Sequence, residues 1–213
     1  MLKTKVKASS VTNLTDARYF AAWGTEWLGF NFDSGSDYYI QPQVMKAIQE
    51  WVDGVQIVGE FNLQPPEEIL AAVELLGLDA IQVGMFSDIG ALRSKGLKAP
   101  IIQELILESS EGIDPLAEQL AQRHTAADIF LLNFDKNGIQ WSALKAEDRA
   151  KLQALSREHL ILLSIGLTAG ELDEMLNLIH PYGISVQGGE EEKVGFKSFD
   201  ELDVLFEALE ITE

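Results

Sequence analysis

Cysteine is absent from this chain of 213 residues. No disulfide, thiolate nucleophile or cysteine-ligated metal can form within it. Its redox compartment stays open, because zero cysteines suits either state. Histidine occurs three times, as His124, His159 and His180, with no His-x-x-x-His spacing. A metal site is therefore not expected. Positive charge is scarce: 16 Lys and Arg face 34 Asp and Glu, for a net charge of −18. A field of that sign repels duplex nucleic acid and anionic lipid, so neither is an expected partner. No apolar run approaches the roughly 18 residues of a membrane span. Met1 to Lys5 lacks an apolar core, so no signal peptide is expected and the cytoplasm is the expected compartment. No Gly-x-Gly-x-x-Gly follows the first apolar run, and no cofactor is expected.

The apolar share of 46% and charged share of 23% are those of a globular chain. The length suits one domain over 1–213. Short β-rich runs alternate with helical patterns throughout. Strands are expected at 5–8, 27–32, 55–61, 80–83, 101–107, 129–134, 160–165 and 184–187. Helices are expected at 14–23, 42–52, 66–76, 89–95, 115–123, 144–157, 172–179 and 199–209. Pro65-Pro66 and Gly77 bracket the third helix, as a helix start and stop should. Thr168 with Glu171, and Ser198 with Glu201, read as capping boxes.

Strands apolar on both faces belong in a parallel sheet covered by helices. Eight strand–helix units in 213 residues average about 27 residues each. Eight units with nothing left over predict a (β/α)8 barrel, an α/β fold, rather than an open doubly wound sheet. The tryptophans, Trp51 included, read as packing residues, and so do Leu70, Leu75, Leu76 and Leu78. The histidines fall at the end of the barrel away from the active face.

Barrel chemistry sits at the C-terminal ends of the strands. That rule selects Ser9, Ser10, Asn31, Asp33, Glu60, Asn62, Gln82, Gln103, Glu104, Asn133, Asp135, Ser164 and Gln187. Asp33, Glu60, Glu104 and Asp135 are the carboxylates that could form an acid–base pair. Glu60 and Glu104 lie inside strand-like runs, where a carboxylate must be paired or reach water. The loops after strands seven and eight, Ser164-Ile165-Gly166-Leu167 and Gln187-Gly188-Gly189, suit a phosphate held by backbone N–H groups. Glu190-Glu191-Glu192 directly afterwards opposes that charge unless it points to solvent.

Several segments carry a family resemblance. Lys7-Ala8-Ser9-Ser10-Val11-Thr12-Asn13-Leu14-Thr15-Asp16-Ala17 is similar to the opening motif of the phosphoribosylanthranilate isomerases of tryptophan biosynthesis. Gly29-Phe30-Asn31-Phe32, Tyr38-Tyr39-Ile40-Gln41-Pro42, Val58-Gly59-Glu60-Phe61 and both late glycine loops match in order and spacing. The resemblance implies a (β/α)8 barrel that binds a phosphorylated small molecule, as a monomer or homodimer. It also implies where the family chemistry would fall. The general-base cysteine lands on Ser9, its following glycine on Ser10, and the general-acid aspartate on Asn133. The substrate-contacting arginine lands on Tyr38, a histidine on Gly84 and an aspartate on Ser185. Tyr38, Ser164, Gly166, Gln187, Gly188 and Gly189 would line the substrate and its phosphate. The family's rearrangement of an aminoaldose to an aminoketose needs an acid and a base. Asn133 holds no acidic proton, and a serine hydroxyl is a far weaker base than a thiolate. Altered or lost chemistry is therefore one expectation. A working isomerase using Asp135 as acid, and a barrel kept only for binding or scaffolding, are the others.

Overall fold

The computed structural model describes residues 1–109, 112–122, 127–188, 191–193, 196–197 and 199–211. Eight parallel strands close into a barrel in chain order. They are β1 (Lys5–Ser9), β2 (Trp27–Asn31), β3 (Gln56–Phe61), β4 (Ala80–Val83), β5 (Ile101–Ile106), β6 (Ile129–Asn133), β7 (Ile161–Ser164) and β8 (Gly183–Gln187). Closure is made by β1 on β8, with Lys5 opposite Gly183 and Ser9 opposite Gln187. The intervening helices are α1 (Leu14–Ala22), α2 (Pro42–Gln49), α3 (Pro66–Leu76), α4 (Ile89–Ser94), α5 (Ile113–Gln122), α6 (Ala146–Glu158), α7 (Ala169–Ile179) and α8 (Asp200–Leu209). The expected (β/α)8 architecture is the observed one.

Local chemistry sets the helix ends. Asn13 caps α1 by accepting the Asp16 N–H at 2.9 Å. Asp88 caps α4 by accepting the Ala91 N–H at 2.8 Å. Pro66 opens α3, and Gly77 closes it in the left-handed region at φ 63°. Helix α7 starts one turn before the expected 172, immediately after Thr168. Ser198 lies outside the described residues, and Phe199 precedes α8. A short hairpin of β9 (Glu191–Lys193) and β10 (Phe196–Lys197) follows β8, where no strand was expected.

Strand alternation divides the core in two. One face points outward and packs with the helices in a large apolar layer that includes Val6, Leu28, Ile81, Ile101, Leu132 and Leu163. The other fills the barrel with Trp27, Val58, Ala80, Ile102, Ile129, Leu131 and Leu162. That plug occupies the N-terminal part. Towards the C-terminal ends the inward positions turn polar, so the upper barrel is a cup rather than a core.

Two packing expectations are corrected. Trp51 is 64% exposed, lying beyond the end of α2 with the Arg18 guanidinium over its ring. Leu75 is 76% exposed, whereas Leu76 and Leu78 are buried. A leucine pattern on a helix names the face only to within one residue, and Leu75 falls on the wet side. His159 and His180 end α6 and α7, away from the cup, while His124 lies outside the described residues.

Candidate functional site

The cup is a cavity of about 250 Å³ to which each of the eight barrel strands contributes. Its wall carries Ser9, Asn31, Glu60, Gln82, Glu104, Asn133, Ser164, Ser185 and Gln187, with Ser10, Ser36, Tyr38, Asp135 and Lys136 at the rim. Of the strand-end set, Ser9, Ser10, Asn31, Glu60, Gln82, Glu104, Asn133, Asp135, Ser164 and Gln187 lie around one space, and Tyr38, placed by the resemblance, joins them at the rim. Gln103, taken from the same rule, does not join them. It alternates with Glu104 and lies with Ile101 and Leu105 on the outer face of the barrel.

One side of the cup is organised by a residue not singled out from the sequence, Lys7. Its ammonium is fully buried, 2.5 Å from Glu60 Oε1 and 2.8 Å from Ser9 Oγ. Glu60 also accepts the Ser10 N–H on both oxygens at 3.2 Å and the Ser10 hydroxyl at 2.8 Å. Ser10 holds these contacts in the left-handed region, at φ 53°, which disfavours any residue but glycine. Gly29 makes room for the pair: a Cβ there would lie 2.0 Å from Glu60 Oε1. Ser9 Oγ lies 2.7 Å from Ser185 Oγ. An ammonium can only donate, so it occupies an acceptor position on Ser9. Lys7 was legible in principle. It alternates with buried Val6 and Ala8, so it points inward, and an inward cation requires an anion such as Glu60.

The other side centres on Glu104. Asn133 Nδ2 donates to its Oε1 at 2.7 Å, and Gln82 Nε2 reaches its Oε2 at 3.5 Å. The half-exposed Lys136 ammonium stands 3.4 Å away. Asn133 Oδ1 accepts the Lys136 N–H at 3.0 Å, so its side chain is fixed at both ends. Asp135 begins the short 3-10 turn after β6 and is exposed at the rim. Tyr38 is also exposed there, at 46%, and does not plug the cavity. Phe134 is buried in the layer outside the barrel.

The late loops hold their glycines differently from one another. Gly166 donates its N–H to Ile139 O at 3.2 Å and accepts from Trp141 N at 2.7 Å. The Gln140 side chain covers it so closely that a Cβ would lie 2.2 Å from Gln140 Nε2. Gly188 sits over the Asp16 carboxylate, with 3.0 Å from a would-be Cβ to Oδ2. Gly189 lies outside the described residues. The first turn of α8 carries Asp200, Glu201 and Asp203. Among the described residues no group of His, Asp and Glu is arranged to hold a metal ion. No described helix is long and apolar enough to cross a membrane.

The structure is thus a (β/α)8 barrel with a polar cup at the C-terminal ends of its strands, the end at which barrels of this class carry their sites. The family model of N-(5'-phosphoribosyl)anthranilate isomerase matches residues 6–208. The chain belongs to that family. Its relative from Chlorobium chlorochromatii, an N-(5'-phosphoribosyl)anthranilate isomerase, is 28% identical over 201 residues and 92% of each chain. The crystal structure of the Thermus thermophilus phosphoribosyl anthranilate isomerase superposes with a TM-score of 0.74 at 29% identity, over 97% of this chain and 98% of that one. A second solved structure shares the fold at a TM-score of 0.75 and 23% identity, covering 97% of this chain and 98% of that one. It is a phosphoribosyl anthranilate isomerase in complex with reduced 1-(o-carboxyphenylamino)-1-deoxyribulose 5-phosphate.

Proposed function

We propose that this barrel binds a small phosphorylated metabolite in its cup and that the family's Amadori rearrangement is not its efficient reaction. The observation that carries the reading is the state of the two positions where the family's base and acid would fall. The Ser9 hydroxyl receives the Lys7 ammonium at 2.8 Å, which opposes its use as a base. Asn133 gives an amide N–H to Glu104 at 2.7 Å and has no acidic proton to offer. General acid–base groups each contribute about 10²–10⁴-fold, so losing both leaves a trace at best. Binding is supported by the open, polar-walled cavity, which neither Tyr38 nor Phe134 fills. A phosphate would lie on the β7–β8 side, near Ser164, Gln187, Gly188 and Gly189.

A second reading, a working isomerase with a relocated acid, is favoured by one contact. The Glu104 carboxyl touches Asn133 and so lies beside the position the acid would take. Asp135 at the rim is the other candidate. Turnover of phosphoribosylanthranilate by the purified protein, followed by loss of substrate fluorescence, separates the readings. The control is the Ser9→Ala/Asn133→Ala double variant. Equal traces in both support the first reading. Turnover well above the control, abolished by Glu104→Gln or Asp135→Asn, establishes the second.

A further inference from the structure

We infer that Asp53, in the α2–β3 loop at the barrel end away from the cup, is a modification site: it isomerises spontaneously to isoaspartate in the folded protein, while the chain's Asn-Gly step is held unreactive. The site is independent of the cup. The sequence contains one Asp-Gly step, Asp53-Gly54, and one Asn-Gly step, Asn137-Gly138. Both suit the same chemistry, in which the glycine nitrogen attacks the side-chain Cγ of the residue before it. A glycine there has no side chain to hinder the attack. The fold releases one step and holds the other. Gly54 N lies against the group it would attack, since its N–H donates to Oδ1 of Asp53 itself at 2.8 Å. Such proximity is what an intramolecular attack requires. Asp33 provides a contrast: it accepts the N–H of Gly35, two residues on, which leads to no five-membered ring. Asp53 and Gly54 are both exposed. Gly54 holds φ 75°, and a Cβ built on it meets nothing within 4 Å. Val52 N–H reaches Gln49 O at 3.4 Å, and the next backbone–backbone hydrogen bond begins at Gln56, whose N–H reaches Glu26 O at 2.9 Å. The segment between them can rotate into the attack without losing a backbone bond of the fold.

Asn137 is in the opposite state. Its Nδ2 donates to Leu107 O at 2.9 Å, and Gly138 N donates to Asp135 O at 2.8 Å. Electrophile and nucleophile are each committed elsewhere, at the end of a 3-10 turn. Opening two hydrogen bonds first slows ring closure by at least about tenfold. At Asp53 the neutral carboxyl form reacts. The bond from Gly54 N to Asp53 Cγ forms, and the carboxyl hydroxyl leaves as water with the proton of that nitrogen. Water then opens the five-membered imide. Attack at Cγ restores aspartate. Attack at the backbone carbonyl of Asp53 gives isoaspartate, whose chain runs through the side-chain carbons and whose free carboxylate is the former backbone carbonyl. One water leaves and one returns, so mass and charge are unchanged. The product exposes the carboxylate that protein isoaspartate carboxyl methyltransferases esterify.

The test is to age the intact protein at mildly acid pH and body temperature, and in parallel the same chain unfolded in urea. Samples are labelled by an isoaspartate methyltransferase with radioactive S-adenosylmethionine, and peptide mapping assigns the label. Circular dichroism confirms that the aged protein is still folded. The peptide carrying Asp53 is expected to gain label in the folded protein at a rate at least equal to that in the unfolded chain. The peptide carrying Asn137 should deamidate at least about tenfold more slowly folded than unfolded. Asp53→Glu keeps the charge but would need a six-membered ring, and its peptide should gain no label. Label at Asp53 that appears only in the unfolded chain overturns the inference, as does its absence from both. Label that persists at that peptide in Asp53→Glu places the reaction elsewhere and also overturns it. Asn137 deamidating as fast folded as unfolded refutes the protection argued for the second step.

Discussion

Lys7 and Glu60 are opposite charges held almost out of water, at 0% and 3% exposure, in the middle of a β-barrel. Each is tolerable only because the other is there. Removing one partner of such a pair typically costs about 3–5 kcal/mol, because the remaining charge is left desolvated. Replacing both by apolar groups of similar size is often close to neutral. Glu60→Leu is therefore expected to lower stability by about 3–5 kcal/mol in urea denaturation. Lys7→Met/Glu60→Leu should recover most of that loss. A single variant within about 1 kcal/mol of wild type would show that Lys7 finds water or another anion. The same pair explains local sequence choices that otherwise look unrelated. Gly29 is small because Glu60 passes over it. Ser10 accepts a strained backbone while its N–H and hydroxyl both serve the Glu60 carboxylate.

Helix α7 shows how a cap written in the sequence fixes an element boundary. Glu171 accepts the Thr168 N–H and the Thr168 hydroxyl, each at 2.8 Å. Chiefly through that backbone N–H, and then the hydroxyl, the Glu171 carboxyl is held below its ordinary value of 4.5. A carboxyl with a lowered folded-state pKa stabilises the fold above its unfolded value, and loses that contribution as pH falls through the folded one. The stability difference between wild type and Glu171→Gln is thus expected to be full near neutrality and to close as pH falls below 4.5. Thermal melts of both proteins across pH 3 to 7 check it, and a difference that is flat with pH would refute it. The boundary was legible in the same residues. A cap at Thr168 demands that the helix begin at 169, although the first apolar contact comes only at Leu172. The hairpin β9–β10 was not legible, since strands of three and two residues carry no period to detect.

At the scale of the whole molecule, the order of elements was readable because the strands are short and apolar and most of the helices between them are marked by Pro, Gly or a cap. Eight such units leave few ways to bury both sheet faces, and closure is one of them. The site was readable by position but not by partnership. Strand ends named Glu60, Glu104 and Asn133, whereas the contacts joining Lys7 to Glu60 and Glu104 to Asn133 span 53 and 29 residues of sequence. Only closure of the barrel brings those strands to a common centre. Charge is the property that belongs to no single element. The net −18 makes the folded chain repel itself more strongly than the expanded one. Against this stand ion pairs such as Lys3–Asp173, Lys95–Glu67 and Lys151–Asp114, which are largely exposed and therefore contribute little each. Salt screens both, with a Debye length falling from about 30 Å at 0.01 M to about 10 Å at 0.1 M. The repulsion acts over many long distances and the pairs over few short ones, so screening removes more of the former. Tm is expected to rise between 0.01 M and 0.3 M NaCl, by about 2–4 °C for each kcal/mol of repulsion relieved. KCl should give the same curve as NaCl, because the effect is one of ionic strength. A Tm that falls with salt would mean that the exposed pairs, and not the excess of carboxylates, dominate the electrostatics of this barrel.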